Sequence, residues 1–277
     1  MGAGKSRGSL RKVLRRRRRR FASHAGDGSS PTKSHNCFCR TGGARPLRTT
    51  SRVFSRVCYA PRVRAPRCLI TAGPTREPLD PVRFLSNRSS GRMGYALAEA
   101  ALRAGGRVTL VSGPVAIPSP RGVRLLRVET AEQMRRAALR EARRADLVIM
   151  AAAVADYRPA TSSRQKIKKR TSRLVLRLEK TQDILVELGR RKRRGQTLVG
   201  FAAETRNLLR NAREKLTRKN LDFLVANLVG RPGSGFESSH NRATLLSRGG
   251  ETRAFPRLRK KILARRLMRI FLDALPH

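Results

Sequence analysis

The 277-residue sequence has no tryptophan, and aromatic residues make up only 4% of it. Platforms for stacking nucleic-acid bases are therefore scarce. Acidic side chains are also few, 18 Asp+Glu against 64 Lys+Arg, which leaves a formal charge of +46. No apolar run approaches the roughly 20 residues needed to cross a bilayer, so a membrane-spanning helix is excluded. A secretory signal is not expected, because Arg15 to Arg20 is followed by Phe21, Ala22, Ser23 and His24 and not by an apolar segment. A cytoplasmic location is expected. The four cysteines, Cys37, Cys39, Cys58 and Cys68, form no C-x-x-C pair, which argues against a disulfide framework or a zinc ribbon. His35, Cys37 and Cys39 are close together, but no second pair of ligands follows, so free thiols in a loose segment are expected.

The charge divides the chain into two unlike parts. Residues 1–66 hold 18 Lys/Arg and one acid, Asp27, in a Gly-, Ser-, Pro- and Arg-rich stretch with no period of 2 or 3.6. Such a segment buries too little apolar surface to offset the entropy of ordering, so a disordered basic extension is expected. Contact with nucleic acid is expected only through this tail, by counterion release. Composition alone favours an extension shaped by GC-rich codon usage over a dedicated binding arm.

From Cys68 onwards short apolar strands alternate with helical periodicity. Strands are expected at 68–72, 108–111, 123–128, 147–150, 174–178, 198–201, 223–226 and 243–247, and helices at 93–104, 131–144, 183–190, 205–219 and 260–275. A loop is expected at Pro232 to Gly235. Strands regularly separated by helices imply an α/β domain over residues 67–277, a doubly wound, mostly parallel sheet with helices on both faces.

In such a sheet the ligand sits beyond the carboxyl ends of the strands, so the residues just after Ala72, Met150 and Phe201 should converge. After Ala72 comes Gly73-Pro74-Thr75-Arg76-Glu77, the start of a long loop to Gly94 stiffened by Pro74, Pro78 and Pro81; its part from Arg83 to Gly94 delivers Ser89-Ser90-Gly91 to a helix N-terminus, where free N–H groups favour an anion. After Met150 comes Ala151-Ala152-Ala153-Val154-Ala155-Asp156-Tyr157, small residues that admit a ligand to the backbone. Lys166-Ile167-Lys168-Lys169 follows; in an extended loop Lys166 and Lys168 share a side, as a triphosphate clamp or as a solvated basic loop.

These stretches, with Gly200-Phe201-Ala202-Ala203-Glu204-Thr205 and Arg218-Lys219-Asn220, resemble the bacterial phosphopantothenate-cysteine ligase, the synthetase half of the bifunctional coenzyme A biosynthesis protein. The resemblance spans nearly all of residues 67–277 in order. It implies a Rossmann-like, dimeric ligase that joins 4'-phosphopantothenate to L-cysteine with CTP and Mg²⁺ through an acyl-cytidylate, releasing CMP and pyrophosphate. By position it implies that Asn87 holds the acyl-cytidylate, that Lys166 supports activation and that Arg83 lies beside the substrate. It also implies nucleotide contacts at Ala152, Asp156, Gln182, Asp183, Ile184, Leu185, Phe201, Lys215 and Lys219. Metal ligands are not identified.

The family usually has lysine at Arg92 and proline at Gln182. Its flavin-dependent decarboxylase half is too large for residues 1–66, so a separate decarboxylase, or a longer protein of which this is a piece, is expected. A nicotinamide-dependent reductase on the same fold would need a glycine-rich turn after the first strand and an acid ending the second. Gly73-Pro74-Thr75 lacks the former and Val111-Ser112-Gly113 the latter.

Overall fold

The computed structural model describes residues 64–169, 172–204, 206–228 and 238–276. The expected disordered extension up to Val63, three of the four cysteines and the loop at 232–235 lie outside the described residues. Arg64 to Pro66 are described, and the Pro66 carbonyl accepts a hydrogen bond from the Arg107 amide.

The chain order is β1 (Arg67–Ala72), β2 (Arg76–Pro78), β3 (Phe84–Ser86), α1 (Arg92–Arg103), β4 (Arg107–Ser112), β5 (Arg124–Arg127) and α2 (Ala131–Ala142). It continues with β6 (Leu147–Met150), β7 (Tyr157–Pro159), β8 (Leu178–Lys180), α3 (Ile184–Arg190), β9 (Thr197–Glu204) and α4 (Leu208–Arg218). It closes with β10 (Phe223–Leu228), β11 (His240–Ser247), β12 (Thr252–Arg259) and α5 (Lys260–Asp273).

Eight strands form one sheet in the order β12-β11-β10-β9-β6-β1-β4-β5. Pairing is parallel from β10 to β5 and antiparallel at β10–β11 and β11–β12. The central strands read as continuous apolar runs because both of their faces are buried. Their two-residue period divides the core. Cys68, Ile70 and Ala72 of β1 pack with Tyr95 and Leu97 of α1 and with Leu267 and Phe271 of α5. Leu69 turns the other way, to Met134 of α2, Leu188 of α3 and Leu216 of α4. Each fully buried Leu or Phe contributes about 1.5–3 kcal/mol.

Strand order reverses at β1, which has β4 on one side and β6 on the other. The crevice between the ends of β1 and β6 is the switch point at which ligands bind in such sheets. Two local features hold α1 beside it. Gly91 caps the helix with φ 73°, in the left-handed region that favours glycine. A Cβ on Gly94 would come 2.5 Å from the Ala72 Cβ and 2.9 Å from the Thr71 carbonyl oxygen, so α1 rides directly on the β1 backbone.

The expected helices and central strands are present to within a few residues. The strand expected at 174–178 is not part of the large sheet. Leu178 opens β8, which pairs only with β7, and Leu174 and Val175 are exposed, Val175 by 91%. The proline-rich loop after β1 folds its middle into the small β2–β3 hairpin. The β12 strand was not expected. Thr-Arg-Ala-Phe-Pro-Arg-Leu-Arg buries only Phe255, as an edge strand covered on one face does. Among the described residues no helix is long and apolar enough to cross a membrane.

Candidate active site

The loops after β1 and β6 are bound to each other by their backbones. Pro74 and Ala153 form an isolated parallel bridge, the Ala153 amide donates to the Gly73 carbonyl at 2.9 Å, and the Thr75 amide donates to the Ala153 carbonyl at 3.3 Å. Two fully buried threonines add side-chain acceptors. Thr71 Oγ1 receives the Ala152 amide at 3.2 Å and Thr75 Oγ1 the Ala155 amide at 3.0 Å. Small side chains at 151–155 permit this close approach.

These loops form one wall of a cavity of about 450 Å³. Asn87, Arg88, the start of α1, Leu185, Phe201, Lys215, Lys219, Asn227, Asn241 and Lys260 complete its lining. Asn87 Nδ2 donates to the Val154 carbonyl at 2.9 Å and the Ala153 carbonyl at 3.3 Å, which ties the α1 loop to the β6 loop. Five cations, Arg88, Arg92, Lys215, Lys219 and Lys260, face the cavity with one carboxylate, Asp156. Such a lining attracts polyanions.

The lysines of α4 are held by carboxylates. Lys215 Nζ is 2.6 Å from Glu204 and Lys219 Nζ is 2.8 Å from Asp183, the side-chain cap of α3. Burial pushes both carboxyls up, but the Lys219 ammonium at Asp183, and Lys215 with Asn211 at Glu204, keep them below their usual range. Lys260 is only 7% exposed. Burial, reinforced by the Arg92 cation, pulls its ammonium down to about 8.

Residues 63–274 match the family described as DNA/pantothenate metabolism flavoprotein C-terminal domain. The chain belongs to this family. The coenzyme A biosynthesis bifunctional protein CoaBC of Bacillus subtilis is 49% identical over 193 residues, 69% of this chain and 47% of that protein. A prokaryotic protein named cysteine/cysteine sulfinic acid decarboxylase is 48% identical over 190 residues, 68% of this chain and 53% of that protein. The chain thus spans about half the length of these curated relatives. The crystal structure of the C-terminal domain of CoaBC, 42% identical, superposes with a TM-score of 0.65 and covers 76% of this chain and 98% of that one.

Of the residues that family resemblance singled out, the cavity brings together Asn87, Ala152, Asp156, Leu185, Phe201, Lys215 and Lys219. Asp183 stands at its edge through Lys219. Ile184 is buried in the core beneath α3, and Gln182 lines a separate hollow with Arg135 and Arg136. Arg83 binds Asp80 and the Ile167 carbonyl instead of facing the cavity, and Lys166 is exposed on the loop after β7. Sequence reasoning missed Thr71, Thr75, Asn227 and Lys260. Asn227 had a usable signal, since it directly follows the apolar run of β10, at another carboxyl strand end. Lys260 had none, being one of 64 basic residues.

Proposed function

We propose that residues 67–277 form a phosphopantothenate-cysteine ligase that uses CTP. The observation that carries this reading is the convergence of Asn87, Asp156, Phe201, Lys215 and Lys219 on one cation-lined cavity at the switch point of the sheet. Both substrates that meet in the first step, a phosphorylated carboxylate and a nucleoside triphosphate, are polyanions, and the lining has the charge to hold them. Among the described residues, Asn227 Oδ1 is the only buried side-chain nitrogen or oxygen without a hydrogen-bond partner. It lies in the same cavity, where a donor on the pantothenate hydroxyl or amide would satisfy it. Leaving such an acceptor unmet costs about 1–3 kcal/mol.

In the proposed reaction a carboxylate oxygen of 4'-phosphopantothenate attacks the α-phosphorus of CTP, and pyrophosphate leaves. The amino nitrogen of L-cysteine then attacks the acyl carbon, loses its proton, and CMP leaves. Lys215 and Lys219 orient the nucleotide, and Lys166 neutralises charge as pyrophosphate departs. The Asn87 amide, fixed by two carbonyls, holds the acyl-cytidylate against cysteine. Mg²⁺ typically binds through one or two carboxylates plus substrate phosphates. Asp156, the single carboxylate of the cavity, fits that role, and among the described residues no His/Cys/Asp/Glu cluster forms a dedicated metal site.

A homodimer belongs to the same proposal. Val82, Phe84, Tyr157, Leu174, Leu176 and Leu178 expose apolar surface on and beside the two small hairpins. A second copy of the chain would cover it. The reaction is placed in the cytoplasm, and its product is a substrate for a decarboxylase active site.

The test is purified protein with phosphopantothenate, cysteine, Mg²⁺ and each nucleoside triphosphate in turn. Pyrophosphate release with CTP, well above that with ATP at sub-saturating concentration, is expected. No release with any nucleotide would overturn the ligase reading, and equal release with CTP and ATP would overturn the choice of CTP.

A further inference from the structure

The loop that carries Lys166 reaches the rest of the domain through a small set of bonds centred on one buried carboxylate. Asp80 is 3% exposed and lies in the turn between β2 and β3. Its Oδ1 accepts the amides of Val82 and Arg83, both at 2.8 Å. Its Oδ2 accepts Arg83 Nε at 2.9 Å, the Arg83 Nη2 group and, across 87 residues of sequence, the Ile167 amide at 3.1 Å. Arg83 Nη2 in turn donates to the Ile167 carbonyl at 2.8 Å. Both backbone groups of Ile167 are therefore held by the Asp80–Arg83 pair. The Ser163 amide adds a bond to the Leu79 carbonyl at 2.9 Å.

Ile167 directly follows Lys166. Fixing its two peptide groups fixes the peptide from which Lys166 departs and restricts the sweep of that side chain. A carboxylate is the group that this place requires. It accepts from several donors at once, and its charge is met by a guanidinium whose Nε and Nη2 both donate to Oδ2, a fork that lysine cannot reproduce. Consistent with this, the Arg83 guanidinium outweighs the upward push of burial and holds the Asp80 carboxyl well below its usual range.

We infer that Asp80 is a positioning residue for activation: through Ile167, with Arg83 as its counter-ion, it places the Lys166 ammonium for the pyrophosphate-releasing step. The inference rests on the ligase reading for its chemistry, but not for its geometry. It gives Arg83 a task separate from substrate contact.

The test uses the full chain with Asp80→Asn. The amide keeps the shape and one acceptor but loses the charge that holds Arg83. Hydrogen exchange at the Ile167 amide is expected to accelerate at least about tenfold, because that donor loses a charged acceptor. Turnover for pyrophosphate release should fall about 10- to 100-fold, the scale of a misplacement near 1 Å, with the CTP KM changed less than about threefold. The decisive arm repeats Asp80→Asn in a Lys166→Gln background. If Asp80 acts through Lys166, the second substitution removes most of the effect of the first. An equal fall in both backgrounds, or unchanged Ile167 exchange, overturns the inference. If the wild-type protein releases no pyrophosphate, the ligase reading falls, and Ile167 exchange still decides whether Asp80 holds the loop. Should Asp80→Asn fail to fold, Arg83→Lys takes its place in every arm, since it keeps the Asp80 carboxylate and removes the guanidinium fork. The same two outcomes then decide.

Discussion

Replacing Gly94 by alanine tests how closely the site depends on backbone packing. The new methyl would lie 2.5 Å from the Ala72 Cβ, 2.9 Å from the Thr71 carbonyl oxygen and 3.0 Å from the Ala72 Cα. Ordinary carbon contacts begin near 3.5 Å, so α1 must move off β1 by about 1 Å. Overpacking of this kind costs about 1–3 kcal/mol, against about 1 kcal/mol gained from the better helix propensity of alanine. A net loss of up to about 2 kcal/mol is expected, read as a lower urea midpoint with an unchanged slope. The same movement carries the N-terminus of α1, with Arg92 and the preceding Asn87 loop, away from the β6 loop. Turnover should therefore fall about 10²-fold, more than the stability loss explains. A second substitution, Ala72→Gly, removes the nearest atom but leaves the two backbone contacts, so it should restore part of both losses. A Gly94→Ala protein with a wild-type midpoint and wild-type turnover would refute the close-approach argument.

Asn87→Ala removes the amide that bridges to Ala153 and Val154; quenched reactions should accumulate acyl-cytidylate, and finding only unreacted CTP would contradict the role given to Asn87. Lys166→Gln should slow activation about 10²- to 10³-fold while cysteine capture from preformed acyl-cytidylate is little affected. Activation at the wild-type rate would return that loop to a solvated basic surface. Lys260 supplies a pH test. Its folded-state value is about 8 against 10.5 for the free side chain, so between these values the unfolded chain binds more protons and stability rises with pH. Urea midpoints between pH 8 and pH 10 should climb in the wild type and lose that contribution in Lys260→Met; equal slopes would argue against a buried, desolvated ammonium.

Much of the scaffold was legible because it rests on local pattern. Leu147-Val148-Ile149-Met150 and Cys68-Leu69-Ile70-Thr71-Ala72 are apolar at every position that two covered faces require, and the helices between them repeat at 3.6. The motif residues Asn87, Asp156, Phe201, Lys215 and Lys219 were legible by resemblance, and the rule for strand ends correctly brought the stretches after Ala72, Met150 and Phe201 together. Leu174 to Leu178 misled, because a short, mostly apolar run looks the same whether the chain buries it or leaves it exposed. The charged β12 misled in the opposite sense, since an edge strand needs few apolar residues.

Composition and periodicity by themselves determined the α/β class, the mostly parallel sheet and the crevice in which the site lies, because burial on two faces and the geometry of crossover connections leave little choice. Only the tertiary structure decided which cations share the cavity, that Thr71 and Thr75 bind the two loops, that Asn227 and Lys260 join its lining, and that Asp80 and Arg83 grip Ile167. Each of these joins residues far apart in sequence, and the energy of a buried charge or hydrogen bond depends on the partner it meets across the fold, which no local pattern encodes.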